Sequence, residues 1–102
     1  MWKVDHFAFE VSDLDAAIGF YEGVLGLRLM FREIDEEHGE AFAFLELDGG
    51  NLELLQVLDP AKRKAPAQPA PSFSPHLALA AVSLDDLVAR LGEKSIPLLK
   101  GP

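Results

Sequence analysis

Two stretches of this chain are near copies of each other. His6-Phe-Ala-Phe-Glu-Val-Ser-Asp-Leu-Asp15 reads like His76-Leu-Ala-Leu-Ala-Ala-Val-Ser-Leu-Asp85, with one inserted residue in the alignment of the two serines. Each copy is a strand pattern that opens on histidine and runs into a Ser-led helix start. A repeat of about 70 residues implies a two-module architecture, because each module is one supersecondary unit that buries its apolar face with help from its neighbour. The repeat also places the two strand-borne histidines at equivalent positions, which suggests a metal or catalytic site shared by the modules. The second copy is short: the sequence stops at Pro102, before it can repeat all that follows His6.

A chain of 102 residues, 49% of them apolar, can build a core, but only a modest one. A second copy of the chain would help it, and unpaired strand edges in an incomplete module point the same way, so a homodimer is expected. The net charge of −8 argues against nucleic acid or an anionic membrane as partner. With no cysteine, disulfides and thiolate ligands are excluded, and any metal must be held by histidine, carboxylate, amide oxygen or water. No apolar run reaches membrane-spanning length and the N-terminus lacks a basic-then-apolar pattern, so a cytoplasmic location is expected.

The local patterns give an order of elements. Trp2 to Val11 reads as a strand, with His6, Ala8 and Glu10 on one face and Phe7, Phe9 and Val11 on the other. Ser12-Asp-Leu-Asp15 fits a capping box, and a helix from about Asp13 to Leu25 follows, with Leu14, Ala17, Ile18, Tyr21 and Leu25 as its apolar stripe. Gly26 suits the left-handed position after a helix end. Leu27 to Ile34 is a second strand and Glu36 to Gly39 a tight turn. Glu40 to Leu47 is a third strand whose alternation breaks near Leu45, which predicts a bulge or an early end there. Asp48-Gly-Gly-Asn51 is a hairpin turn and Leu52 to Leu58 a fourth strand. Residues 1–58 thus form a complete βαβββ module, and 59–74 a proline- and alanine-rich linker. Residues 75–102 form a partial second module: a strand from His76 to Val82, a helix capped by Ser83 and ending near Leu91 or Gly92, and the start of a further strand at Ile96-Pro-Leu-Leu99. The fold class is α+β, with paired βαβββ modules forming a curved mixed sheet and the second module incomplete.

The strand histidine, Ser12-Asp-Leu-Asp15, Phe20-Tyr21-Glu22 and Val24-Leu25-Gly26-Leu27 resemble the opening of the glyoxalase family. Gly50-Asn51-Leu52-Glu53-Leu54-Leu55 resembles its fourth strand, and Pro75-His76-Leu77-Ala78-Leu79 the start of its second module. These segments, in order and at the right spacing, mark a resemblance to the glyoxalase, bleomycin resistance protein and dioxygenase (vicinal oxygen chelate) superfamily. The resemblance implies a curved eight-stranded sheet with a divalent metal in its concave face. It implies His6, Glu53 and His76 as ligands. The usual fourth ligand, a glutamate that also moves protons in glyoxalase-like isomerases, would lie beyond Pro102.

Two neutral imidazoles and a carboxylate would leave a divalent ion with a net positive site and open positions, a set suited to zinc, nickel, manganese, cobalt or iron. Such an ion can take two neighbouring substrate oxygens and stabilise an enediolate or enolate. The expected function is therefore that of a metal-dependent lyase or isomerase acting on a small oxo- or thioester substrate. An acyl-coenzyme A epimerase and a ring-cleaving dioxygenase are the enzymatic alternatives. The others are a metal-free protein that sequesters a small molecule such as an antibiotic, and an inactive truncated copy. Among further residues, Glu10 belongs at the rim of the site, His38 to a solvated turn, and Lys62-Arg63-Lys64 to a solvated linker or a contact for an anionic substrate. Phe31, Phe42 and Phe44 are candidates to line the concave pocket, and Phe7, Phe9, Phe20 and Tyr21 belong to the core.

Overall fold

The computed structural model describes residues 1–64 and 76–99. The chain divides into two compact units, Met1–Lys64 and Ala65–Pro102. The first contains β1 (His6–Glu10), α1 (Leu14–Ile18), β2 (Leu29–Asp35), β3 (Glu40–Leu45) and β4 (Asn51–Val57). The strands form one mixed sheet in the order β1-β4-β3-β2, with β1 parallel to β4 and the other pairs antiparallel. This is an α+β arrangement in which β1 and β2 are the edge strands. No helix among the described residues is long and apolar enough to cross a membrane.

The sheet's two faces differ because strand side chains alternate with period two. Ala41, Ala43 and Leu45 of β3 and Leu52 and Leu54 of β4 are buried, and so are Leu14 and Ile18 of α1. The helix therefore covers the face those five strand residues share. Alanines at 41 and 43 let the helix approach closely, and leucines at 45, 52 and 54 supply the apolar area. A polar contact fixes one end of the helix on the sheet: the Leu14 amide donates to Oε1 of Gln56 at 2.7 Å. Arg32 of β2 reaches Asp15 on α1 at 2.8 Å.

Several boundaries differ from the sequence expectation, each for a physical reason. The cap of α1 is Asp13 rather than Ser12: Asp13 has extended backbone and its carboxylate accepts from the Ala16 amide. In the second unit Ser83 caps α2 (Leu84–Glu93) by accepting from the Asp86 amide. Each cap thus stands seven residues after its histidine, Asp13 after His6 and Ser83 after His76, so the repeat has no insertion. The expected single helix to Leu25 is α-helical only to Ile18. Gly19–Val24 continue it as π-helix, closed by Gly26 with φ of 78° as the sequence suggested.

β3 ends at Leu45, and the irregularity sits in β2 opposite it. The register moves from Leu29↔Leu45 to Phe31↔Phe44, so Met30 is the extra residue of a bulge. This turns Phe31, instead of Met30, onto the face opposite α1. The segment 76–82, read from sequence as a strand, carries no strand assignment, nor does Ile96–Leu99. Strand geometry needs a ladder partner, and the described residues provide none for either segment. Of the linker expected over 59–74, Pro60–Lys62 form a 3-10 turn, and residues 65–75 lie outside the described residues.

The turn between β2 and β3 is tied by Asp35, whose carboxylate accepts from the His38 amide at 3.1 Å and meets His38 Nδ1 at 2.8 Å. The His38 side-chain hydrogen bond, helped by its backbone N–H, holds the Asp35 carboxyl below its usual range. A lowered folded-state value means that the turn's stabilisation is present above the ordinary aspartate range and is lost as pH falls through the lowered value. We expect His38→Ala to move the Asp35 titration part of the way back up, as read by carboxyl-carbon NMR; an unmoved titration would assign the shift to the backbone amide alone.

Candidate metal centre

β1 and β4 lie side by side and parallel, in the register His6↔Asn51, Ala8↔Glu53 and Glu10↔Leu55. Register and alternation put His6, Ala8 and Glu10 on the same face as Glu53 and Leu55, opposite α1. Ala8, directly beside Glu53, offers only a methyl group and leaves space above it. Into that space the His6 ring leans, bringing Nε2 to 3.5 Å from Glu53 Oε1. The Glu53 side chain is 17% exposed and that of His6 40%. A largely buried carboxylate among Leu52, Leu54 and Leu55 is costly unless it meets a positive or hydrogen-bonding partner.

The other face of the imidazole is also engaged. His6 Nδ1 lies 2.7 Å from Asp5 Oδ2. In the neutral ring, a proton on Nδ1 donates to Asp5 and leaves the Nε2 lone pair directed toward Glu53. Two acceptors then face each other, and either a second ring proton or a bound cation between them relieves the repulsion. Metal-binding histidines are commonly oriented in this way by a carboxylate on the second nitrogen. Asp5 itself is seated by the backbone: the Asn51 amide donates to the Asp5 carbonyl at 2.9 Å. Just before it, Gly50 has φ of 139°, and a Cβ there would come within 2.8 Å of Val4 Cγ1. Only glycine lets the N-terminal segment lie this close to the β4 turn.

The separation of 3.5 Å fits a shared ion. Metal–nitrogen and metal–oxygen bonds of roughly 2.0–2.2 Å sum to more than that distance, so one ion can touch both atoms. Among the described residues, no group of three His, Cys, Asp or Glu side chains is gathered for a metal. The structure therefore brings together two of the three ligands expected from sequence, His6 and Glu53. His76 belongs to the second unit and remains the proposed third.

The remaining candidates separate cleanly. Glu10 is exposed at the far end of β1, as a rim residue should be. His38 pairs with Asp35 in the turn at the opposite end of the sheet from His6. Of the basic trio, Arg63 is occupied: Nε donates to the Val57 carbonyl at 2.7 Å and fixes the exit of β4. Phe42 and Phe44 share the face of His6 and Glu53, and the bulge adds Phe31. Sequence reasoning had no role for Asp5. Its only sequence signal is its position next to His6, and strand alternation would have pointed it away.

A family model described as Glyoxalase/Bleomycin resistance protein/Dioxygenase superfamily matches residues 3–102. A methylmalonyl-CoA epimerase from Mycobacterium tuberculosis is 34% identical over 58% of this chain and 41% of its own, with a TM-score of 0.51. A hypothetical protein of Bacillus halodurans is 35% identical over 56% of this chain and 41% of its own, with a TM-score of 0.52. This chain thus spans less than half the length of either. The trypanothione-dependent glyoxalase I of Leishmania major is matched over 100% of this chain and 73% of its own, with a TM-score of 0.81. At 22% identity that likeness shows the fold. No curated protein matches the chain.

The Asp5 contact has a direct spectroscopic consequence. In metal-free protein at slightly alkaline pH, long-range proton–nitrogen NMR should show the neutral His6 ring protonated on Nδ1. Asp5→Ala should move the ring toward the Nε2–H form that free histidine favours. An unchanged pattern in the variant would remove Asp5 from the site.

Proposed function

The chain belongs to the glyoxalase/bleomycin resistance protein/dioxygenase superfamily, and from that premise we propose that it serves as a metal-dependent lyase or isomerase acting on a small oxo- or thioester substrate. The observation that carries this reading is the approach of His6 Nε2 to Glu53 Oε1 on the sheet face opposite α1, with Asp5 behind the imidazole. His6 and Glu53 would hold the ion, with His76 as the third ligand. The two imidazoles and one carboxylate suit zinc, nickel, manganese, cobalt or ferrous iron. A divalent ion there would act as a Lewis acid toward two neighbouring substrate oxygens and stabilise an enolate or enediolate.

The chain's own residues prepare that chemistry. Asp5 keeps the His6 ring in one orientation, and Glu53 offers its charge from a position where water has limited access. Phe44, whose ring contacts His6, shields one flank of the pair. An acyl-coenzyme A epimerase is the second reading. It is favoured by the 34% identity to the mycobacterial epimerase over 58% of this chain. Both readings begin with loss of a proton beside a polarised carbonyl, so both need the ion. We further propose a cytoplasmic homodimer, since β1 and β2 leave the first unit's sheet with two edge strands.

Elemental analysis after loading with each of the five metals and exhaustive dialysis should find about one divalent ion per chain. His6→Ala and His76→Ala should abolish retention. Glu53→Gln, which keeps the shape and removes the charge, should weaken it. A wild-type chain that retains none of the five ions would overturn the metal-dependent reading. On the loaded protein, glutathione hemithioacetal isomerisation and methylmalonyl-coenzyme A epimerisation separate the first reading from the second. Light scattering should give the mass of two chains.

A further inference from the structure

The face that carries His6 and Glu53 also carries a continuous set of aromatic rings. Phe44 stands next to Glu53 in the register, Phe31 next to Phe44, and Phe42 next to Leu55. His6 and Phe44 meet edge to face with ring centroids 5.2 Å apart. Phe31 stacks on Phe44 at 4.9 Å with 19° between the planes. Phe42 meets Phe31 and Phe44 edge-on, at 6.4 and 6.3 Å. None of these rings belongs to the core, which lies on the opposite face, and Phe31 is 42% exposed.

The charges on this face all have one sign. Glu10, Glu33 and Glu40 share it by alternation and register, and no lysine or arginine of the four strands does. Arg32 is on the α1 face with Asp15, and Arg28, just before β2, pairs with Glu46. An anionic substrate group placed over these strands would meet carboxylates and no lysine or arginine of the four strands.

We infer that the substrate bears a flat, apolar, uncharged group beside its two metal-binding oxygens, and that Phe44 and Phe31 are the residues that select it. This rests on the metal-dependent reading and narrows it. The reasoning is one of position and complementarity. A substrate held at the His6–Glu53 pair would have Phe44, which touches His6, as its nearest ring on this face, with Phe31 stacked behind it. Offset or edge-to-face contact with such rings favours a planar partner over an aliphatic one of similar length. The acidic rim at Glu10, Glu33 and Glu40 disfavours a carboxylate or phosphate in the same place.

Hydroxamates test this directly, because they chelate through two neighbouring oxygens with an invariant head. Zinc-loaded full-length protein, its metal content first verified, is titrated by calorimetry with acetohydroxamate, benzohydroxamate and 4-carboxybenzohydroxamate. Benzohydroxamate should bind on the order of tenfold more tightly than acetohydroxamate, a gain of the size one buried aromatic contact supplies. The 4-carboxy compound should bind more weakly than benzohydroxamate. In Phe31→Leu the preference for the phenyl group should shrink to about twofold or less, with acetohydroxamate affinity unchanged; in Phe44→Leu, whose ring touches His6, the preference should shrink likewise. Phe31→Leu alters a half-exposed ring, so it tests the wall even if Phe44→Leu folds poorly. Equal affinity for the two simple hydroxamates in the wild type, or an intact preference in Phe31→Leu, would overturn the proposal. So would a Phe31→Leu chain that changes only its oligomeric mass, since the rings would then cover a second copy. A chain that retains no zinc is recognised before any hydroxamate is added and is titrated with whichever of the five metals it does retain; a chain that retains none of them overturns the metal reading itself.

Discussion

The packing of α1 against one face of the sheet is the constraint on which the site depends. Leu14 and Ile18 can bury only where β3 and β4 present small or aliphatic side chains, and Ala41, Ala43, Leu45, Leu52 and Leu54 do so on one face alone. Because strand side chains alternate, that choice commits every intervening residue to the other face. Glu53, between Leu52 and Leu54, has no alternative position. Phe42 and Phe44, between the buried residues of β3, are committed in the same way. The core and the candidate metal centre are therefore two readings of one register. A slip of a single residue in the β3–β4 pairing would bury Glu53 under α1 and expose the leucines.

Local devices then refine what alternation provides. The β2 bulge at Met30 changes which side of that strand faces the site, delivering Phe31 to Phe44 and Arg32 to Asp15 on the helix. The Gly50 backbone admits Val4 at a distance that any Cβ would forbid, and so lets residues 4 and 5 lie along the start of β4. The Asn51 amide then holds the Asp5 carbonyl, and the Asp5 carboxylate reaches the ring of the next residue. An exposed ion pair between neighbours contributes little to stability. Its consequence is for orientation: it selects which imidazole nitrogen faces Glu53.

Much of this was legible in the sequence because it rests on periodicity and turn chemistry. The alternation of Ala41 to Leu45, the glycines at 49 and 50, and the Ser83 cap follow from residue type and spacing. The proposed ligands His6 and Glu53 were nameable because a histidine and a glutamate interrupt apolar strand patterns at places a family resemblance marks. What escaped has a common cause. The Asp13 cap, the π-helical turn after Ile18 and the Met30 bulge each turn on a one-residue choice between near-equivalent hydrogen-bond patterns, which composition does not decide. The Asp5 contact escaped because it precedes the first residue of β1, where alternation no longer applies. The segment from His76 to Val82 has strand composition without a described ladder partner, and composition alone does not make a strand.

The corrected repeat gives the case for His76 its physical content. With Asp13 and Ser83 as caps, each histidine stands seven residues before the residue that starts its helix, and Leu14 and Leu84 open the two helices in turn. His6 faces away from α1 because three residues of alternation separate it from Phe9 and because the chain must then turn to place Leu14 in the core. The second segment has the same seven-residue spacing, with the Ser83 hydroxyl capping its helix where the Asp13 carboxylate caps the first. The equivalence reaches no further than that. Glu10 is matched by Ala80 and Asp5 by Pro75, so the residue before the histidine is a carboxylate in the first copy only. On the metal-dependent reading, Asp5→Ala should lower metal retention by loosening the orientation of the His6 ring.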